Sequence, residues 1–169
     1  MKTAVLLDTG FLISLVDQKR PHHGVAAQYY RAMLEQQVPM YFSAIVAAEF
    51  AIKQPITDLP LHHSRSIPFN ILHAQEAGHW WNALGKRDEG DARHIVRDDV
   101  KLIAQACRES IPFILTEDAS PLYRYCERLK GAGSTETRAI KLVDGFDASA
   151  FREDGQRGLL FENTRVDEE

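Results

Sequence analysis

Hydrophobic and polar positions change period repeatedly along the chain. Residues 3–8, TAVLLD, are β-branched and aliphatic and run into a turn-like D-T-G, which predicts a short buried strand. The apolar run resumes over 11–16 as a short helix. Residues 22–37 predict a helix with Val25, Tyr29, Ala32 and Met33 on one face and Pro21 at its start. A brief strand at 40–43 precedes a helix at 44–53, in which Ile45, Ala48 and Ile52 recur at helical spacing. Prolines and polar residues mark ITDLPLHHSRS (56–66) as a loop. IPFNIL (67–72) reads as a strand, and 73–84 as a helix with Ala77, Trp80, Trp81 and Leu84 aligned. After the charged loop GKRDEGDARH (85–94) comes a helix at 98–109 carrying Val100, Ile103, Ala104 and Cys107. PFILTED (112–118) is a buried strand with a polar end. The helix after it, to about Lys130, aligns Leu122, Tyr125, Cys126 and Leu129. GAGST is a flexible loop and RAIKLVD (138–144) a last strand. Residues from Gly145 on read as irregular, with RVDEE a disordered end.

Strands alternating with helices imply an α/β fold, a three-layer sandwich with a central, mainly parallel sheet flanked by helices. The organisation expected is one domain over 1–144 and an irregular extension over 145–169. A chain of 169 residues suits one domain with a proper core. It is 44% hydrophobic and 26% charged, as soluble globular proteins are.

No apolar run is long enough to span a bilayer, and Asp8 interrupts the first one, which makes it a poor signal peptide. Cys107 and Cys126 form neither a zinc ligand set nor a disulfide framework, so a reducing, cytoplasmic compartment is the default. The net charge of −4 looks wrong for a nucleic-acid binder. Setting aside four acids as a site and Asp167, Glu168 and Glu169 as a tail leaves seventeen acids against twenty lysines and arginines. A basic rim is therefore compatible with the total.

The chemistry concentrates in acids at unusual places. In open parallel sheets ligands bind just beyond the carboxyl ends of the strands. Asp8 ends the first strand and Asp118 ends FILT, so both belong to one edge of the sheet. Glu49 falls between Ile45 and Ile52 on an apolar helix face, and Asp99 heads the stripe Leu102, Ile103, Ala106. Neighbouring Asp98 shares a face with Lys101 and Gln105 and reads as more exposed. Singly, each acid has an ordinary explanation. Asp8 or Asp118 is a helix N-cap, Asp98 and Asp99 are the first acids of the 98–109 helix, and Glu49 is a satisfied buried acid. Together, four converging carboxylates would repel strongly, and a divalent cation is the usual remedy. An all-oxygen set suits Mg²⁺ or Mn²⁺ rather than zinc.

LLDTGFLISLVD, IVAAEF, RDDVKLIAQA and ILTED, in this order and spacing, resemble the four signature segments of the PIN-domain ribonucleases. The resemblance covers about residues 3–144. It implies a parallel sheet flanked by helices, metal-dependent cleavage of RNA, and catalytic and metal-binding acids at Asp8, Glu49, Asp99 and Asp118. Thr9 and Thr116 fall on its hydroxyl positions. Many such proteins resemble VapC-type toxins, which implies a small antitoxin partner and a homodimer. The segments 85–97 and 145–169 are longer than a minimal toxin of this type needs.

Other features point less far. Lys53, Arg93, Arg97 and Lys101 flank the acidic segments and are weak phosphate-binding candidates; singly each reads as a solvated helix charge. His22-His23 and His62-His63 are adjacent pairs whose members do not face each other on a helix, and no H-E-x-x-H pattern occurs. Trp80, Trp81, Tyr29 and Tyr30 could stack bases, but Trp81 and Tyr29 lie on apolar faces and read as packing. Neither a dinucleotide fingerprint nor a P-loop is present. The rival to a nuclease is a non-catalytic PIN-like module that binds RNA or protein.

Overall fold

The computed structural model describes residues 3–59, 61–117 and 120–151. RVDEE and the rest of 152–169, like Asp118, lie outside the described residues. Among the described residues, five strands form one parallel sheet: β1 (Val5–Leu7), β2 (Met40–Ser43), β3 (Ser64–Ile67), β4 (Phe113–Thr116) and β5 (Arg138–Lys141), ordered β3-β2-β1-β4-β5. Six helices accompany them: α1 (Thr9–Val16), α2 (His23–Glu35), α3 (Ala44–Lys53), α4 (Ile71–Leu84), α5 (Arg93–Arg108) and α6 (Pro121–Gly131).

The central strands β1 and β4 are buried throughout, as VLL and FILT require when both faces are covered by helices. α2 turns Ala26, Tyr29, Ala32 and Met33 inward, and α6 turns Leu122, Tyr125, Cys126 and Leu129 inward. Pro21 lies in the turn before α2, whereas Pro121 occupies the first position of α6. Residues 145–151 close over α2. Tyr29 Oη donates to the Gly145 carbonyl and accepts from the Asp147 N–H, each at 3.2 Å, and Phe146 and Phe151 meet its ring edge-on.

Four local expectations change. The strand lies at Ser64–Ile67, mostly inside the segment read as a loop, and of 67–72 only Ile67 is in a strand. β3 is an edge strand with two exposed central residues, so it carries no hydrophobic signal. Its neighbour Asn70 instead starts α4 through a capping box: Asn70 Oδ1 accepts from the Leu72 and His73 N–H groups, and His73 Nδ1 accepts from the Asn70 N–H. α5 starts at Arg93, five residues earlier than expected, because Val96 belongs to its buried stripe. The segment 138–144 is a strand only to Lys141 and ends in a 3₁₀ turn.

Two apolar faces also differ. α3 buries Val46 and Phe50, while Ile52 is 83% exposed. Of the adjacent tryptophans, Trp80 enters the core, and Trp81 is only partly buried. The segment 85–92 is fixed to α6. Arg124 clasps Asp91 with two 2.8 Å bonds, Arg128 reaches Asp88 at 2.6 Å, and Tyr125 Oη both donates to Asp91 and accepts from the Asp88 N–H.

Candidate active site

The register of the sheet assembles the site. Leu7 pairs with Leu115, and the Asp8 N–H continues the ladder to the Leu115 carbonyl at 3.0 Å. Asp8 therefore lies beside Thr116, whose hydroxyl donates to Asp8 Oδ2 at 2.9 Å. Asp8 occupies the N-cap position of α1 in extended backbone conformation, but its side chain makes no capping bond to that helix. The ordinary explanation for an aspartate after a strand thus does not account for its carboxylate.

Thr9, the first residue of α1, donates its hydroxyl to Glu49 Oε2. Glu49 stands in the second turn of α3, which starts directly after β2, with Ser43 as its N-cap accepting from the Ile45 N–H at 3.1 Å. Both threonines hold carboxylates, so the two hydroxyls fix the rotamers of acids from β1 and α3. Gly10 is needed for closeness. A Cβ there would sit 3.1 Å from Glu117 Cβ and 3.5 Å from Asp8 Oδ2, inside ordinary contact distance to Glu117.

Asp99 reaches the same region from the middle of α5. Because α5 starts at Arg93, neither Asp98 nor Asp99 is a first-turn acid, and the helix-dipole explanation for them falls away. Asp98 pairs with Lys101 Nζ at 2.7 Å. Asp99 has no such partner: its Oδ2 is buried and makes no hydrogen bond. An orphaned buried carboxylate oxygen is costly. Burial, then the charges of Asp8 and Glu49, push the Asp99 carboxyl up to about 8. Burial likewise raises Asp8 to about 6, against the lowering effect of the Thr116 hydroxyl and the N–H groups of Thr9 and Gly10, with Glu49 adding to the rise. Asp8, Glu49 and Asp99 therefore share one electrostatic environment. Asp118 lies outside the described residues.

An oxygen-preferring cation matches this donor set in kind: carboxylates and hydroxyls only, one buried oxygen lacking a partner, and two acids disfavoured in the ionised form. Among the described residues, no group of three or more His, Cys, Asp or Glu side chains is gathered closely enough to hold an ion unaided.

Arg20 and Glu117 were not singled out by sequence reasoning. Arg20 follows α1 and forms an ion pair with Glu117, the residue after β4, whose side chain is largely buried. The only signal was the second acid of Thr116-Glu117-Asp118. Of the basic candidates, Lys53 is exposed at the end of α3, whereas Arg93, Arg97 and Lys101 line one groove with Trp81. His23 starts α2 with its Nδ1 3.0 Å from the Ser14 carbonyl.

No protein-family model and no curated protein matches the sequence. Solved structures do match. A chain of FitAcB from Neisseria gonorrhoeae is 15% identical with a TM-score of 0.56, the match covering 82% of this chain and 98% of that one. A chain of DNA-bound VapBC from Salmonella typhimurium is 18% identical with a TM-score of 0.55, over 83% and 98%. A chain of VapBC2 from Rickettsia felis, bound to a fragment of promoter DNA, is 13% identical with a TM-score of 0.56, over 82% and 98%. At these identities the likeness is one of fold, and it extends over nearly the whole of each neighbour. With its five parallel strands, flanking helices and acids at the strand ends, the chain has the fold of the VapC-type PIN domains.

Proposed function

We propose that the chain is a divalent-metal-dependent endoribonuclease that hydrolyses RNA phosphodiester bonds and acts as the toxin of a toxin–antitoxin pair. One observation carries the reading. Asp8, Glu49 and Asp99 come from three separate elements into one environment that raises two of their pKa values, and Asp99 keeps a buried oxygen with no partner. Structural scaffolds do not need such an arrangement, whereas cation-dependent hydrolysis does.

Asp8, Glu49, Asp99 and Asp118 would hold Mg²⁺ or Mn²⁺. Such an ion, when bound, would supply positive charge to activate water and to offset charge on the phosphate oxygens. The chain's own contribution is orientation. Thr116 and Thr9 hold Asp8 and Glu49 in fixed rotamers, so neither acid must reorganise as substrate arrives. Gly10 lets α1 close against Glu117, and Arg20 balances that acid at the rim.

The domain proposed is 1–144 with an extension to 169, acting as a homodimer in the cytoplasm. Among the described residues no helix is long and apolar enough to cross a membrane. FitAcB and the VapBC structures favour a small antitoxin as partner. Such a protein would place a basic side chain among the carboxylates and so neutralise them in place of the ion.

The test is cleavage of labelled RNA by purified protein. Cutting is expected with Mg²⁺ or Mn²⁺, and its loss in excess chelator and in Asp8→Asn. Equal cutting in chelator would refute the metal requirement. No cutting with any divalent ion, in protein that still binds RNA, would favour the non-catalytic module.

A further inference from the structure

A groove of about 460 Å³ runs between α4 and α5. Its lining combines the small Ala74, Ala77 and Gly78 with the rings of Phe69 and Trp81. Arg93, Arg97 and Lys101 line the α5 side, and among the described residues no aspartate or glutamate lines it. The three cations stand four residues apart, so about 6 Å separates each from the next along the axis. Arg93 lies 5.9 Å over the Trp81 ring, and Lys101 is shared with Asp98. Among the described residues, Arg97 makes no hydrogen bond or ion pair. Asp99 follows Arg97 by two residues, hence about 200° around the helix. The groove therefore lies on the face of α5 turned away from the carboxylates.

We propose that this groove is a second RNA-binding site, which anchors a single-stranded segment of the substrate away from the bond being cut. The inference rests on the RNA-directed reading above. A basic track beside an aromatic platform is the combination that holds single strands: cations follow the phosphates, and a base stacks on the ring with little regard to sequence. Trp81 is the platform, and the small residues Ala74, Ala77 and Gly78 in the lining leave room for a base. Arg97 and Arg93 meet successive phosphates, and Arg93 moves off the indole as the base arrives. In a protein of net charge −4, three cations without an acid in the lining concentrate positive potential on this face.

Binding is measured with a fluorescein-labelled single-stranded RNA of mixed sequence, in an Asp8→Asn background that leaves the RNA intact. The RNA should quench tryptophan fluorescence, and Trp81→Phe should abolish most of the quench while keeping affinity within a few-fold, since Trp80 is buried. Trp81→Leu should weaken binding about tenfold or more. Arg93→Glu/Arg97→Glu should weaken it further and flatten the slope of log affinity against log salt by about 1.4. Should Trp81→Leu fail to fold, the double arginine variant carries the test, with circular dichroism as the control.

RNA affinity unchanged in both variants overturns the proposal. So does selective loss of an acidic helical peptide's binding with RNA binding intact, which assigns the groove to a protein. Burial of Trp81 that grows with protein concentration in RNA-free samples assigns it to a second copy and overturns it equally. Cleavage by the unmodified chain is scored separately. Cutting without groove dependence removes the groove and keeps the nuclease; groove-dependent binding without cutting does the reverse.

Discussion

Replacing Asp99 by asparagine should make the cation-free protein more stable, and the gain should grow with pH. In the folded chain this carboxyl titrates at about 8, against 3.8 for the ordinary side chain. Between those values the folded state holds a proton that the unfolded state has lost. Stability therefore falls as pH rises from about 4 to about 8, and the full penalty is present above the folded value. At pH 7 the two states differ by roughly three pKa units, or about 4 kcal/mol as an upper figure, since relaxation of the site reduces it. Asp8 adds a smaller penalty that is complete above about 6. The replacement amide is neutral throughout and also removes one charge facing Asp8. The assay is urea unfolding in chelator at pH 5, 7 and 8.5. The unmodified chain should lose about 3 kcal/mol or more across that range, while Asp99→Asn should lose only about 1 kcal/mol, all of it below about pH 6, where Asp8 titrates. Asp98→Asn, which breaks only a half-exposed pair with Lys101, should shift stability by about 0.5 kcal/mol or less. Added Mn²⁺ should stabilise the unmodified chain at pH 8 and have less effect on Asp99→Asn. Stability that rises between pH 5 and 8, or an Asp99→Asn variant no more stable at pH 8, would refute the reasoning.

Asp8→Asn, Asp99→Asn and Asp118→Asn should each lower RNA cleavage on the order of a hundredfold or more while circular dichroism stays native, whereas Asp98→Asn should retain most activity; initial rates on labelled RNA decide it. Gly10→Ala should cost about 1 kcal/mol and reduce activity, because its Cβ would stand 3.1 Å from Glu117 Cβ; a stability equal to the parent in urea would show that the close approach is not needed. Expression of this chain alone should arrest bacterial growth, dependent on Asp8 and relieved by co-expressing a neighbouring small open reading frame. Normal growth with a demonstrably active enzyme would count against the toxin role.

The helical connections of this fold were legible because their hydrophobic stripes are continuous. The α6 stripe agrees with the period of the sequence; α3 has the expected bounds but buries Val46 and Phe50 instead of the face Ile45, Ala48 and Ile52. β3 was not legible, since an edge strand reading SRSI is held by pairing to β2 rather than by burying side chains. The early start of α5 was hidden by charged residues around Val96, and only packing against its neighbours makes that turn visible. Asp8, Glu49 and Asp99 stood out as acids in apolar surroundings. The hydroxyl bonds that hold two of them depend on the register of β1 against β4 and on the approach of α1 to α3, which sequence periodicity does not encode. Arg20 and Glu117 escaped for the same reason: they are 97 residues apart.

The place of β1 at the centre of the sheet has a consequence for the order in which the protein comes into being. Val5–Leu7 leaves the ribosome well before one of its two neighbours, β4, which ends at Thr116. Until that residue has been made, β1 has an open flank and Asp8 lacks the hydroxyl that holds it. Asp99 belongs to the same late portion of the chain. A ribosome that has yet to make β4 therefore holds an apolar strand that cannot be fully covered and an incomplete group of acids. Pairing over such distances is slow to form and leaves strands exposed meanwhile. The group of acids is complete only once α5 and β4 have been made, so on the nuclease reading proposed above an antitoxin would have time to meet the chain before it could cut RNA.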